Sequence, residues 1–146
     1  MPEPRHQRGL IDTSVVIDLP FVREEALPPN LAVSTITLAE LSAGPHATDD
    51  PGERAARQHR LQQAEATFDA IPFDEEAARA YGRVYAAVVA GGKKARGRRA
   101  LDLMIAATAV ASDLPLYTRN PKDFEALDGL LEVVPVPRSS RGGTGR

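Results

Sequence analysis

Gly9-Leu10-Ile11-Asp12-Thr13-Ser14 decides the reading of this chain: a short apolar run, an acid straight after it, then a helix-like stretch over about 13–19. The same order returns twice. Ala32-Val33 leads through Ser34 into a helical pattern over 36–43, with Glu40 one turn in. Leu116-Tyr117-Thr118 leads through Arg119-Asn120 into a helical pattern over 121–127, with Asp123 three residues beyond Asn120. Short strands separated by helices indicate βαβ units, and these build a parallel sheet covered on both faces. Ile71 and residues 131–136 are further strand candidates. Pro135 and Pro137 assign the last one to a sheet edge, because proline cannot donate to a ladder.

Three longer helices are expected over about 52–69, 75–90 and 100–112. Tyr81, Val84, Tyr85 and Val88 follow the i, i+3, i+4, i+7 spacing of a buried stripe. Asp74 suits the N-cap of that helix, and Gly91-Gly92 ends it. The stretch 101–111 has almost no polar face, so its helix is expected to be buried nearly all round. Gly44-Pro45 closes the short helix before 52–69.

A chain of 146 residues suits one domain, and 42% hydrophobic with 26% charged residues is ordinary for a globular protein. The expected organisation is a flexible N-terminus over 1–8, a domain over 9–136 and a disordered tail over 137–146. The absence of cysteine excludes disulfides, thiolate metal sites and cysteine nucleophiles. No secretory signal is expected from the polar first eight residues, and no apolar run approaches the ~20 residues that span a bilayer. A cytoplasmic protein with no membrane partner is expected. Net charge is −2, against a broadly basic nucleic-acid binder, yet Lys93, Lys94, Arg96, Arg98 and Arg99 crowd into one segment. Such a patch can steer a polyanion, and it also suits a solvated loop.

The acids are informative by position. Asp12 and Asn120 directly follow strands, and Glu40 lies just inside the helix after another. In an open parallel sheet, ligands bind outside the carboxyl ends of the strands, so these residues share one rim. Each also has a plain structural reading. Asp12 can cap the helix that starts at Thr13. Thr37 and Glu40 fit a capping box. Asn120-Pro121 is an N-cap followed by proline at the first helical position, and Asp123 supports the same turn.

Asp102 fits a cap least well. It shares a helical face with Ile105, Ala106 and Ala109, where a carboxylate is costly unless something pairs with it, and a metal ion is one such partner. Converging carboxylates suit a hard cation, Mg²⁺ or Mn²⁺, and such a cluster suits phosphodiester hydrolysis. His6, His46 and His59 have no ligand-like spacing and are expected at the surface.

Four segments together carry a family resemblance. Leu10-Ile11-Asp12-Thr13-Ser14, Thr37-Leu38-Ala39-Glu40-Leu41, Arg99-Ala100-Leu101-Asp102-Leu103-Met104-Ile105-Ala106 and Thr118-Arg119-Asn120-Pro121-Lys122-Asp123-Phe124 resemble the signature blocks of PIN-domain nucleases, and more narrowly of VapC-type toxins of bacterial toxin–antitoxin pairs. The resemblance spans about 9–136. It implies a three-layer α/β/α fold with a short-stranded parallel sheet and an endoribonuclease that needs Mg²⁺ or Mn²⁺. It also implies a cognate VapB-type antitoxin and a homodimer. Asp12, Glu40 and Asp102 match the family's metal-binding acids. Many relatives carry a fourth acid where this chain has Asn120, and Asp123 is the residue that can restore the charge. Substrate contacts are expected from Thr13, Ser14 and Thr118, and from Lys93, Lys94, Arg96, Arg98 and Arg99 on RNA phosphates.

Three rivals remain to be weighed. A haloacid-dehalogenase-like phosphatase needs a second Asp where this chain has Ser14. A receiver domain needs a Lys where Arg119 follows Thr118. A catalytically inactive PIN-like module that binds RNA or a protein partner would gain nothing from burying Asp102. With aromatic residues at 5% and no Trp, RNA recognition is expected to rest on charge and shape rather than stacking.

Overall fold

The computed structural model describes residues 6–137. The residues expected to form the outermost N-terminus (1–5) and nearly all of the tail (138–146) lie outside them. The described residues form five strands and five α-helices in the order β1 Arg8–Ile11, α1 Thr13–Ile17, β2 Asn30–Ser34, α2 Thr35–Ala43, α3 Pro51–Thr67, β3 Ala70–Ile71, α4 Glu75–Ala90, α5 Arg98–Ala111, β4 Leu116–Thr118 and β5 Val133–Pro135. The strands form one parallel sheet in the order β3-β2-β1-β4-β5. As the prolines require, β5 is an edge.

Side chains on a strand alternate between faces, and each central strand here sends one residue to each of two cores. Leu10, Ala32 and Leu116 join Val84 and Val88 of α4 and Leu103, Ile105 and Ala106 of α5 on one side. Ile11, Val33 and Tyr117 join Val15 and Val16 of α1, Leu41 of α2 and Ala64 of α3 on the other. The result is the expected three-layer α/β/α arrangement. The middle of α5 is buried from Leu103 to Ala109 apart from Met104, with Thr108 as its one polar residue, while its first turn opens to solvent. Asp74 caps α4 by accepting from Ala77 N at 3.0 Å, and Gly91 ends it.

Four local expectations are corrected. Tyr85, expected on the buried stripe of α4, is exposed, and Ala77, Ala80, Val84 and Val88 are the buried face. Thr37 and Glu40 do not form a capping box. Helix α2 follows β2 without a gap, so Ser34 is its N-cap, accepting from Ile36 N at 2.9 Å, and Thr37 is buried inside the helix. The segment Pro121–Leu127 is a 3-10 helix rather than an α-helix, and Asn120 precedes it without a side-chain cap bond. His46 and His59 are exposed, but His6 is half-buried, with Nε2 3.1 Å from Glu132 and its ring edge-on to Tyr117. Among the described residues, no helix is long and apolar enough to cross a membrane.

Candidate active site

With β2 and β4 on either side of β1, the carboxyl ends of three adjacent strands open onto one rim. A cavity of about 300 Å³ lies there, and Asp12, Glu40, Asp102, Asn120 and Asp123 all line it. Sequence reasoning had left each of these residues between a cap and a site. Asp12 is a cap and also lines the cavity. Its Oδ1 caps α1, accepting from Val15 N at 3.2 Å, and also accepts from the Ser14 hydroxyl at 2.6 Å. Burial pushes the Asp12 carboxyl above its ordinary range, while hydrogen bonds from Ser14, Thr118 and the backbone pull it back.

Glu40 is held by Thr13, whose Oγ1 donates to Glu40 Oε1 at 2.5 Å. Asp102, in the first turns of α5, is pushed up to about 6. Its partial burial is the largest cause, followed by the negative charges of Glu40, Asp12 and Asp123, with Arg98 opposing them. Asp102 therefore feels the other three carboxylates. Asn120 is exposed on the same cavity with its side chain free of a cap bond, and Asp123 supplies the fourth charge from the first turn of the 3-10 helix.

The expected substrate contacts divide. Arg98 and Ser14 line the cavity. Thr13 lines it as well, but its hydroxyl is committed to Glu40 and to Thr37 Oγ1, 3.0 Å away, so it supports a carboxylate instead of reaching for substrate. Thr118 is fully buried beneath the rim, where its hydroxyl accepts from Asn120 N at 2.9 Å. Arg99 is half-buried and donates to the Asp123 carbonyl at 3.0 Å, bracing the fourth acid. Lys93, Lys94 and Arg96 are exposed and line no part of this cavity. Gly97, at φ 65°, turns the chain sharply before α5, in a left-handed conformation that glycine adopts freely.

Two residues of the site were missed. Asp18 and Arg119 line the cavity and form an ion pair across it, and Arg119 N donates to Ser14 Oγ at 3.2 Å. Arg119 stands inside one of the recognisable blocks, but Asp18 carried no signal beyond being an acid at a helix end.

The donors facing the cavity are oxygens, the kind Mg²⁺ and Mn²⁺ prefer. Among the described residues, no three Asp, Glu or His side chains are drawn together tightly enough to form a ready-made cage. This suits an ion that keeps several waters and is bound through one or two carboxylates plus substrate phosphate. The mutual repulsion recorded at Asp102 is the charge that such a cation would relieve.

Residues 9–130 match the PIN domain, and the chain belongs to that family. Its relatives are of the VapC type. It is 36% identical to ribonuclease VapC5 of Mycobacterium tuberculosis over 128 residues, covering 86% of this chain and 91% of that protein. The crystal structure of VapBC-5, a member of the VapBC family of toxin-antitoxin systems from the same organism, superposes with a TM-score of 0.76 at 35% identity, covering 90% of this chain and 99% of that one. A toxin-antitoxin complex from Klebsiella pneumoniae superposes with a TM-score of 0.60 at 31% identity, covering 86% and 95%.

Proposed function

We propose that this protein is a divalent-metal-dependent endoribonuclease and the toxin partner of a VapB-type antitoxin. One observation carries the reading. Asp12, Glu40, Asp102 and Asp123 converge on one cavity at the carboxyl end of a parallel sheet, where partial burial, and after it the charges of the other three, raise Asp102 to about 6. A catalytically inactive binding module has no use for that costly arrangement.

Asp12, Glu40 and Asp102 would hold the cation, with Asp123 and the Asn120 amide oxygen beside them. When bound, Mg²⁺ or Mn²⁺ lowers the pKa of a water and stabilises charge on phosphate oxygens. The chain's own residues do the positioning: Ser14 and Val15 N orient Asp12, Thr13 orients Glu40, and Arg99 holds the Asp123 segment. Arg98 offers positive charge to the RNA backbone where the cavity opens.

The antitoxin partner is supported by relatives whose structures are toxin-antitoxin complexes. A homodimer is supported by the exposure of Tyr85 (46%) and Val89 (50%) on α4. The same reading includes a cytoplasmic location, which suits an RNA substrate.

The test is cleavage of a mixed RNA pool by the purified full chain, with and without EDTA, beside Asp12→Asn and Asp102→Asn. Metal-dependent cleavage lost in both variants is expected. Full activity in EDTA, or in either variant with its fold intact, would overturn the reading.

A further inference from the structure

A second cavity of about 580 Å³ adjoins the acid-lined one, and Thr13, Ile17, Glu40 and Arg98 line both. The second cavity thus starts beside the carboxylates and is lined farther out by residues of α2 and α3. Arg57 and Arg60 of α3 stand along it. The guanidinium of Arg57 is already engaged, donating to Glu53 Oε2 and to the Gly44 carbonyl, each at 2.9 Å. Glu40 is engaged by Thr13. Arg98 at the catalytic end and Arg60 farther along are cations with no ion pair among the described residues. Ile17, Ala39, Leu41, Ala43, Ala47 and Leu101 supply the apolar lining, and no aromatic ring faces this cavity. A strand laid here would find no stacking platform, so its backbone charge is what the groove can hold.

We propose that Arg60 binds a backbone phosphate of the RNA strand flanking the scissile bond, with Arg98 binding the phosphate nearer the carboxylates. The inference rests on the ribonuclease reading and extends it to a substrate path along α3, away from Lys93, Lys94 and Arg96. Arg60 also borders an apolar groove against Val16, Leu19 and Phe21, which a protein segment could fill. The lining residues that the second cavity shares with the carboxylate cavity favour RNA.

The test titrates labelled single-stranded polyuridine RNA against the full chain carrying Asp102→Asn, across a range of salt. Adding Arg60→Ala or Arg60→Gln should weaken binding and reduce the log–log salt slope by ~0.7, the loss of one single-strand phosphate contact. Arg60→Lys should restore most of that slope. Arg83→Ala, an equal loss of charge at an exposed position on α4, should leave it unchanged. On a transcript that the wild-type chain cleaves, Arg60→Ala should raise KM more than it lowers kcat. An unchanged slope and KM would overturn the proposal, as would an equal loss in Arg83→Ala. So would a loss of antitoxin affinity with RNA binding intact, which would give Arg60 to the protein partner. A wild-type chain that neither binds nor cleaves RNA would fail the ribonuclease reading itself, a result distinct from failure at position 60 alone.

Discussion

The Thr13 hydroxyl donates to Glu40 Oε1 at 2.5 Å, so the helix after β1 holds the carboxylate carried by the helix after β2. Thr37 Oγ1 lies 3.0 Å from the same hydroxyl. The Thr13 hydroxyl thus contacts both the carboxylate and the Thr37 hydroxyl. Two hydroxyls from two helices thus brace one acid of the candidate site.

Thr13→Val keeps the shape and removes the hydrogen bond. Glu40 then loses its orientation and the buried Thr37 hydroxyl loses a partner, an effect on the order of 1–3 kcal/mol for a buried polar group. RNA cleavage should fall and the Mg²⁺ concentration for half-maximal cleavage should rise, with Thr13→Ser restoring both. Metal titrations of cleavage alongside thermal melts check this. An unaltered metal midpoint in Thr13→Val would mean that Glu40 needs no such support.

Asp102 gives a pH signature. Its carboxyl is raised from 3.8 to about 6 in the folded chain, so the native state binds this proton more tightly than the unfolded state does. Its stabilising contribution is complete below the unfolded value and is lost as pH rises through the folded one. In EDTA, Asp102→Asn should therefore be more stable than wild type above about pH 7, with the difference shrinking as pH falls toward roughly 4. Denaturant melts across that window measure it. A difference that does not change with pH would show that Asp102 is not under this strain.

The fourth position can be tuned. Asn120 is exposed on the cavity without a cap bond, so Asn120→Asp should leave stability nearly unchanged. The added carboxylate should push Asp102 up further without metal and lower the Mg²⁺ midpoint for cleavage with it. Asp123→Asn should move that midpoint the other way. If a Mg²⁺ titration finds the midpoint fixed in both variants, the cation is held by Asp12, Glu40 and Asp102 alone.

Gly9 is a packing constraint. A Cβ there would lie 2.4 Å from Tyr117 Cε1 and 3.2 Å from Pro28 Cγ. Tyr117 sits on β4, the strand that leads into Thr118 and Asn120, so the clash acts on the rim as well as the core. Gly9→Ala should cost about 1–3 kcal/mol, as overpacking does, and should lower cleavage. Wild-type stability in a denaturant melt would show that the Tyr117 ring moves aside freely.

The order strand, acid, helix was legible because it is local. Leu10-Ile11 and Leu116-Tyr117 can only be short strands, the prolines keep β5 at an edge, and acids placed directly after parallel strands must share a rim. The choice between cap and site at Asp12 was not a real choice, since the extended backbone that lets its Oδ1 accept from Val15 N also sets the carboxylate on that rim. Spacing misled where a neighbour competed: Thr37 and Glu40 have capping-box spacing, but Ser34 reaches the free N–H groups first. Only the tertiary structure could join Asp18 to Arg119 across 101 residues, divert Lys93, Lys94 and Arg96 from the carboxylates, and bring Arg60 of α3 onto the groove. The sequence by itself determined which backbone ends carry acids, because a single residue's φ/ψ and its immediate hydrogen bonds decide that. Which side chains meet depended on the sheet order, which sets β2 and β4 on either side of β1, and on packing between helices distant in the chain.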